Sequence, residues 1–248
     1  TVNDTGDAGD ATPGDGICMT PGGGCTLRAA IEEVNAAPGC ANNIGFSVTD
    51  TINMSGAYPA LAAAFTFNGP GAADLIIKRN TGGNYRILNI PLGASATLNG
   101  LTLSNGLGDE GGAIRNAGVL TLNDCTLSGN ATLGARPLTG GGAGIFNAST
   151  GLLTVNRCAL VNNTATGQTA NVAAGSGGGG GGLGGAVYNN GGAVSITNTT
   201  LSGNQAIGGT GGNGTSGCCI AGGGSGGGNG GSGGTVLPTS TAPTAGNF

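Results

Sequence analysis

Three segments of the chain align without gaps, and this internal repeat constrains the fold more than any other feature of the sequence. They are GVLTLNDCTLSGN at 118–130, GLLTVNRCALVNN at 151–163 and GAVSITNTTLSGN at 192–204, and ATLNGLTLSNG at 96–106 is a partial earlier copy. A shorter module, GGAIRN, GAGIFN or GGAVYN, precedes each full copy. Units this short cannot each bury an apolar face alone, so successive copies are predicted to stack.

Apolar residues alternate within each copy in the way that is typical of strands. Leu120 and Leu122 define one inward phase, and after a short corner the phase resumes at Cys125 and Leu127. The predicted unit is therefore a short strand, a turn and two further short strands. Stacked at about 4.8 Å per coil, such units place like residues above one another in ladders of Leu, Asn and Ser.

The interval between equivalent leucines grows along the chain while the core of the repeat stays constant. These leucines are Leu103, Leu127, Leu160 and Leu201. The added length lies in glycine tracts before the shorter module, so we expect lateral loops at a fixed corner, packed as extended glycine strands. We predict an all-β fold, a right-handed parallel β-helix with a short N-terminal capping helix and Gly-rich lateral loops. A propeller or a sandwich would need longer strands and more aromatic residues.

Helical spacing is clear in CTLRAAIEEVNAAPG at 25–39, where Leu27 and Ile31 fall on one face. This amphipathic helix is expected to cover the open end of the stack. The sequence thus predicts three parts, which are an N-terminal cap at 1–40, a β-helix with Gly-rich insertions at 41–234 and a Thr/Pro/Ala-rich segment at 235–248.

The opening of the chain resembles a known motif. The run TVNDTGDAGDATPGDGICMTPGGGCTLRAAIEEVNAAPG is similar to the Cys-Ser-Leu-Arg-Glu-Ala motif that opens many exported bacterial repeat proteins, with Thr26 and Ala29 in place of its Ser and Glu. The repeats resemble in style those of chlamydial polymorphic outer-membrane proteins. The resemblance implies a right-handed β-helix that serves as a secreted or surface-exposed, adhesin-like module.

Composition excludes several classes of partner. Charged residues are 7% of the chain and the net charge is −4, with Lys78 as the single lysine. A chain so poor in positive charge has no means to neutralise a run of phosphates, so nucleic acid is not an expected partner. No apolar window is long enough for a membrane span.

Several features favour an exported protein. Seven cysteines in a chain without histidine fit an oxidising setting better than the cytosol. The chain opens at Thr1 rather than at Met, and we expect it to be the mature form after removal of a signal peptide. The predicted location is extracellular or at the cell surface.

Four of the cysteines carry structural expectations. Cys18 and Cys25 close a short loop before the helix and are predicted to form a disulfide that fixes the cap. Cys125 and Cys158 occupy equivalent repeat positions and should point inward on adjacent coils. Buried free thiols are favoured there over a bridge, because Thr199 continues the same column.

The pairing of the other cysteines is left open by the sequence. Cys218 and Cys219 are adjacent in a glycine tract, where they can bridge each other, bridge elsewhere or link two chains. Cys40 follows the predicted helix. Since seven is an odd number, at least one thiol is expected to be free or intermolecular.

The densest acidic run lies near the start of the chain. Asp4, Asp7, Asp10 and Asp15 stand in a Gly-rich loop that can supply oxygen ligands to Ca²⁺. Their spacing does not match the EF-hand loop, and a solvated acidic loop is the favoured alternative. These four aspartates are the candidate metal ligands, and no other cofactor is predicted.

A catalytic site is not predicted. Glycoside hydrolysis needs two carboxyl groups close together, and Asp109 with Glu110 is favoured as a solvated turn, while Asp124 takes a variable outward corner. The chain has no Trp and three Tyr, so aromatic sugar platforms are scarce. A cleft in which Asp109 or Asp124 meets an arginine would favour an enzyme. No regular Thr-x-Thr column is evident, and ice binding is not predicted.

These observations together predict a secreted or cell-surface structural or adhesive module that is not an enzyme. No capping helix follows the last repeat, so end-to-end association into a homo-oligomer or filament is expected. Glycans and the surface of a host or neighbouring cell are the other expected partners. The alternatives are a carbohydrate-active β-helix enzyme, either a polysaccharide lyase or a hydrolase, and a calcium-dependent binding domain.

Overall fold

Like residues of the repeats stand beside one another in parallel strands, as the alignment predicts. The structure is a computed structural model that describes residues 1–37, 42–80, 82–134, 140–169 and 179–210. Leu120 pairs with Leu153, which pairs in turn with Val194. The fold is the predicted right-handed parallel β-helix, with each coil lying on the one before it.

One helix, α1, spans Leu27–Ala36. The strands, in chain order, are β1 (Asn42–Gly45), β2 (Thr51–Met54), β3 (Ala64–Asn68), β4 (Ile76–Arg79), β5 (Leu88–Ile90), β6 (Ser95–Asn99), β7 (Thr102–Ser104), β8 (Leu107–Gly108), β9 (Ile114–Asn116), β10 (Val119–Asn123), β11 (Thr126–Ser128), β12 (Ala131–Leu133), β13 (Gly140–Gly141), β14 (Ile145–Asn147), β15 (Leu152–Asn156), β16 (Ala159–Val161), β17 (Thr164–Thr166), β18 (Gly182–Leu183), β19 (Val187–Asn189), β20 (Ala193–Thr197), β21 (Thr200–Ser202) and β22 (Gln205–Ile207). Within the described ranges, no helix is long and apolar enough to cross a bilayer.

The strands form four sheets that run along the stack and a small lateral one. They are sheet 1 (β1-β3-β6-β10-β15-β20), sheet 2 (β2-β4-β7-β11-β16-β21), sheet 3 (β8-β12-β17-β22), sheet 4 (β5-β9-β14-β19) and the lateral sheet (β13-β18). Sheet 3 is absent from the sequence prediction. Its inward residues, such as Thr132 and Ala165, are small and give little apolar signal.

The core consists of aliphatic columns that run along the axis of the stack. Two of these columns contain the fully buried side chains of Leu98, Leu122 and Val155 in sheet 1 and of Leu103, Leu127 and Leu160 in sheet 2. Burying one such side chain contributes about 1.5 to 3 kcal/mol. The regular alternation of inward and outward residues therefore accounts for the stability of the coils.

The helix closes the N-terminal end of these columns. Thr26 caps α1 by accepting a hydrogen bond from the Ala29 N–H, and the side chains of Leu27 and Ile31 are fully buried. They join the same apolar cluster as Val2 and Ile44. The position of α1 is thus the one expected for a cap.

A single residue in the left-handed backbone conformation turns the chain from sheet 1 into sheet 2. The residues at this corner are Gly100, Asp124, Arg157 and Asn198, with φ of 57°, 54°, 49° and 49°. This conformation costs a non-glycine residue roughly 1 to 2 kcal/mol. On successive coils the Arg157 guanidinium and the Asp124 carboxylate form an exposed ion pair of 2.7 Å. The corner is outward and variable, as the sequence predicts.

A buried asparagine ladder stands at the corner between sheets 2 and 3. The Asn130 side chain donates to Asn163 Oδ1 (2.9 Å), and the Asn163 side chain donates to Asn204 Oδ1 (2.9 Å). Asn163 Oδ1 also accepts from the Asn130 backbone N–H (3.0 Å), and Asn163 Nδ2 donates to the Leu127 carbonyl (3.0 Å). Asn130 and Asn163 are fully buried. Each amide therefore satisfies a backbone N–H and a backbone carbonyl of the turn on the preceding coil.

The glycine loops fold against the stack. β13 and β18 pair in parallel, and Glu110 forms an isolated bridge with Gly141. A Cβ at Gly182 would overlap the carbonyl oxygens of Ile207 and Ala165, so only glycine allows this approach. The described parts of the first two loops thus include one pair of short parallel strands, Gly140–Gly141 and Gly182–Leu183. The third glycine tract and the predicted 235–248 segment lie outside the described residues.

We expect Asn163→Ala to lower the free energy of unfolding by about 2 to 4 kcal/mol, because it leaves a buried N–H and a buried carbonyl without partners. Asn156→Ala is the matched control. Asn156 belongs to a half-buried ladder on the outer face of sheet 1 and donates to Asn123 at 3.2 Å. Water can replace its partners, so its loss is expected to stay below about 1 kcal/mol. Chemical denaturation measures both values, and equal losses would contradict the assigned role of the buried ladder.

Candidate functional site

A groove of about 630 Å³ opens on the side of the stack near the cap. One wall is the segment before β3 that carries Tyr58, and the floor is formed by β5 and the residues before it, including Tyr85 and Arg86. Asp109, just after β8, forms the far side. The volume falls in the range of roughly 300 to 1,000 Å³ typical of small-molecule sites.

Two tyrosines supply aromatic surface to the groove. Tyr58 is 7% exposed, the Arg28 guanidinium lies over its ring at 5.0 Å, and its hydroxyl is buried near the Asp7 carboxylate. Burial, followed by the nearby Asp7 carboxylate, raises the pKa of Tyr58, so the phenol is neutral and can donate. The Tyr85 hydroxyl instead donates to the Met54 carbonyl at 2.7 Å, which fixes its ring.

Arg86 and Asp109 supply the charge. Arg86 Nη2 lies 2.6 Å from Asp109 Oδ1, and the side chains are 23% and 58% exposed. Burial lowers the pKa of Arg86, with Asp109 acting in the opposite direction. Asn89 adds a buried side-chain oxygen that has no partner among the described residues. The groove thus combines the side chains of two tyrosines and Asn89 with a partly exposed arginine–aspartate pair.

An arginine and aromatic column continues from the groove along the outer face of sheet 4. The register aligns Asn89 with Arg115, Phe146 and Tyr188 on successive coils. Arg115 pairs with Glu110 at 3.0 Å and lies over the Phe146 ring at 5.9 Å. Phe146 packs against Tyr188 at 5.6 Å between ring centres. This column stabilises the outer face of sheet 4 and connects it to the groove.

Asp109 and Glu110 are adjacent in the sequence, but their carboxylates pair with different arginines in the structure. Asp109 turns toward Arg86 in the groove, whereas Glu110 pairs with Arg115 outside its lining. Asp124 meets its arginine at an exposed corner instead. The Arg157 guanidinium lowers the pKa of Asp124 by hydrogen bonding. A cleft with an arginine therefore exists for Asp109 and not for Asp124 in the described part of the chain.

The tyrosines of the groove were missed at the level of sequence. Tyr58 and Tyr85 stand in connections between short strands and share no repeat position, so neither periodicity nor motif marks them. The chain has three tyrosines and no tryptophan, and this low number argued against an aromatic surface for binding sugars. The coil brings them to one side of the stack, which is a consequence of the fold rather than of local pattern.

The four aspartates of the acidic loop do not converge on one point. Asp4 accepts from the Gly6 N–H, and Asp15 accepts from the Ile17 N–H. Asp10 accepts from the N–H groups of Thr12 and Met19. Among the described residues, no group of three or more His, Cys, Asp or Glu side chains is placed to hold a metal ion. The geometry gives no support to the calcium site predicted for these residues.

Asp7 serves the attachment of the cap to the first coils. Its carboxylate pairs with Arg28 at 2.8 Å and accepts from the N–H and hydroxyl of Ser55 at 2.6 Å. Arg28 donates further to the Gly56 and Ala57 carbonyls. The Asp7 side chain is 6% exposed, so removing either partner would leave a buried charge.

The predicted cysteine arrangement is confirmed where the structure describes it. Cys18 and Cys25 form a disulfide, and Cys125 and Cys158 are buried free thiols. The Cys125 N–H donates to Cys158 Sγ (3.4 Å), and the Cys158 N–H donates to Thr199 Oγ1 (3.3 Å), which continues the column. Cys40, Cys218 and Cys219 lie outside the described residues.

No family model, curated protein or solved structure matches the chain. The resemblance of the opening run to the Cys-Ser-Leu-Arg-Glu-Ala motif therefore stays a prediction. What is confirmed is the coarser statement, which is a stack of short parallel strands with a helical cap.

We expect iodoacetamide to leave Cys125 and Cys158 unmodified in the folded chain. Both thiols are buried, and the hydrogen bond with Cys158, together with burial, raises the pKa of Cys125. Mass spectrometry of peptides from native and guanidinium-unfolded samples measures the modification. The peptide containing Cys18 and Cys25 serves as control, since it should react only after reduction. Rapid labelling of Cys125 in the native sample would contradict the buried column.

Proposed function

We propose that the chain is an extracellular structural and adhesive module that binds glycan chains through the groove beside its first coils. The observation that carries this proposal is the convergence of two tyrosine rings with Arg86, Asn89 and Asp109 on one side of a rigid stack. Aromatic faces pack on the apolar faces of sugars, while charged and amide groups bind their hydroxyls. Few other ligands need both in a groove of this size.

The groups of the groove are prepared for polar contacts with a ligand. Asp109 is more than half exposed and can accept from a ligand while it holds Arg86, which is itself partly exposed. A sugar hydroxyl, which both donates and accepts, can pair with either group. The Tyr58 hydroxyl and the Asn89 side-chain oxygen are buried, so these two residues shape the groove rather than bind through those atoms.

An extracellular location is supported by the Cys18–Cys25 disulfide, because such bonds form and persist in oxidising compartments. A β-helix stabilised by backbone ladders and aliphatic columns suits a surface module, since the stacked strands fix the connections that carry the groove's binding groups. The end-to-end association expected from the sequence is part of the same proposal. It concerns the side of the stack that follows the last described coil, and light scattering tests it directly.

A carbohydrate-active enzyme is the second candidate, favoured by one observation. Asp109 meets Arg86 in a groove, where burial lowers the pKa of Arg86 and Asp109 opposes that shift. Against hydrolysis, Asp109 is the one carboxylate that lines the described groove, whereas two are needed. Release of unsaturated products from acidic polysaccharides, followed by ultraviolet absorbance, separates a lyase from a binding module.

We expect Asp109→Asn to weaken glycan binding by roughly tenfold to a hundredfold, the effect of losing a charge-assisted hydrogen bond. Asp124→Asn is the matched control, because Asp124 is also an exposed carboxylate paired with an arginine but does not line the groove. An array of neutral and acidic oligosaccharides identifies the ligand, and calorimetry gives the dissociation constants. Absence of binding by the folded wild-type chain, or equal loss in both variants, would refute the proposal.

A further inference from the structure

The outer face of sheet 1 carries a column of hydroxyl groups in strict register. It consists of Thr66, Thr97, Thr121, Thr154 and Ser195, which pair one with the next on successive coils. Each member lies between two inward-facing residues of its strand and is half-buried or exposed. A Thr-x-Thr pattern does not mark this column in the sequence, because in four of the five strands the residue two positions further along is asparagine.

None of these hydroxyls hydrogen-bonds to another described side chain or backbone group. Threonines elsewhere behave differently. The Thr102 hydroxyl donates to the Ala72 carbonyl at 2.6 Å, and the Thr150 hydroxyl donates to the Ala117 carbonyl at 2.7 Å. The hydroxyls of the sheet 1 column are therefore left to water, at regular intervals.

A second column stands beside the first, two residues further along each strand. It consists of Asn68, Asn99, Asn123, Asn156 and Thr197. The Asn99 side chain donates to Asn68 and the Asn123 side chain to Asn99, both at 2.9 Å. Such ladders favour flat sheets, which would otherwise twist from strand to strand. The amide ladder thus favours a flatter arrangement of the neighbouring hydroxyls.

The dimensions of the grid formed by the two columns follow from strand geometry. Columns repeat at about 4.8 Å from coil to coil, and the two columns are separated by about 6.6 Å along the strand. The spacing between coils is close to the shorter repeat of water oxygens on a prism face of hexagonal ice, and the spacing along the strand is somewhat below the perpendicular repeat. A third column on the same face, Ala64, Ser95, Val119, Leu152 and Ala193, is small or apolar. Within these columns no side chain is charged, so none holds a liquid-like hydration shell.

We propose that the outer face of sheet 1 binds ice. Its hydroxyls and amides hold a layer of water at lattice positions, and its methyl groups limit the alternative orientations of that water. Because the layer is ordered before contact, freezing onto a crystal costs little further entropy, and many weak water-mediated bonds act together. This function is independent of the groove and does not rest on the glycan proposal.

Other occupants fit the face less well. Proteins bind crystalline polysaccharides through exposed aromatic rings. The three columns contain no aromatic residue. A second copy of the chain would need an apolar interface, but the large exposed apolar side chains in these columns are Val119 and Leu152. Both occupants are separate outcomes of the test.

The test is thermal hysteresis and inhibition of ice recrystallisation by the purified chain, measured by nanolitre osmometry and microscopy. We expect activity in the wild type and its loss in Thr121→Tyr, because a ring raised above the grid breaks the plane while tyrosine remains a good strand residue. Thr154→Tyr provides a second site with the same expectation, should one variant fold poorly. Circular dichroism confirms that each variant keeps the fold.

Thr126→Tyr is the matched control. Thr126 lies on the same coil as Thr121 and is also half-buried and outward, but it belongs to sheet 2, where Ile76 and Ala159 interrupt the hydroxyl column. This variant is expected to keep full activity. No ice activity in the folded wild type, or equal loss in Thr126→Tyr and Thr121→Tyr, overturns the proposal. Binding to cellulose or chitin alone, or dimerisation through this face without ice activity, overturns it as well.

Discussion

The stacking of identical residues in register is the interaction on which the rest of this molecule depends. A coil of four short strands has too little apolar area to fold alone, and its turn amides have no partners within the coil. Both deficits are met by the neighbouring coil, through leucine columns inside and the Asn130–Asn163–Asn204 ladder at the corner. A residue with no partner within its own coil thus stabilises the fold by contacting the equivalent residue of the next coil.

The same register determines which parts of the structure could be predicted from the sequence. The repeat, its alternation and the helix at 25–39 predicted the stack and its cap, since these features are local or periodic. Sheet 3 could not be predicted, because its strands owe their conformation to pairing with adjacent coils rather than to side chains of their own. The corner occupied by Asp124 and Arg157 was recognised as outward, but their ion pair depends on which coils are neighbours.

The groove and the outer face of sheet 1 illustrate two further limits. The groove assembles Tyr58, Arg86 and Asp109 from connections that share no repeat position, so only the folded chain brings them together. The hydroxyl column is periodic and was nevertheless overlooked, because a regular surface is a property of several strands at once. The acidic loop is the opposite case, in which a dense local pattern suggested a metal site and its carboxylates instead bind backbone N–H groups and Arg28.

The buried asparagine ladder also gives the stack a direction. Its two amide-to-amide bonds, from Asn130 to Asn163 and from Asn163 to Asn204, both run toward the later coil, and this orientation is fixed because each acceptor Oδ1 also accepts a backbone N–H from the coil before. The ladder on the outer face of sheet 1 runs the other way, with Asn123 donating back to Asn99. The two ends of the molecule are therefore chemically unlike. At the later end of the described stack the ladder stops at Asn204, whereas at the earlier end α1 covers the aliphatic columns.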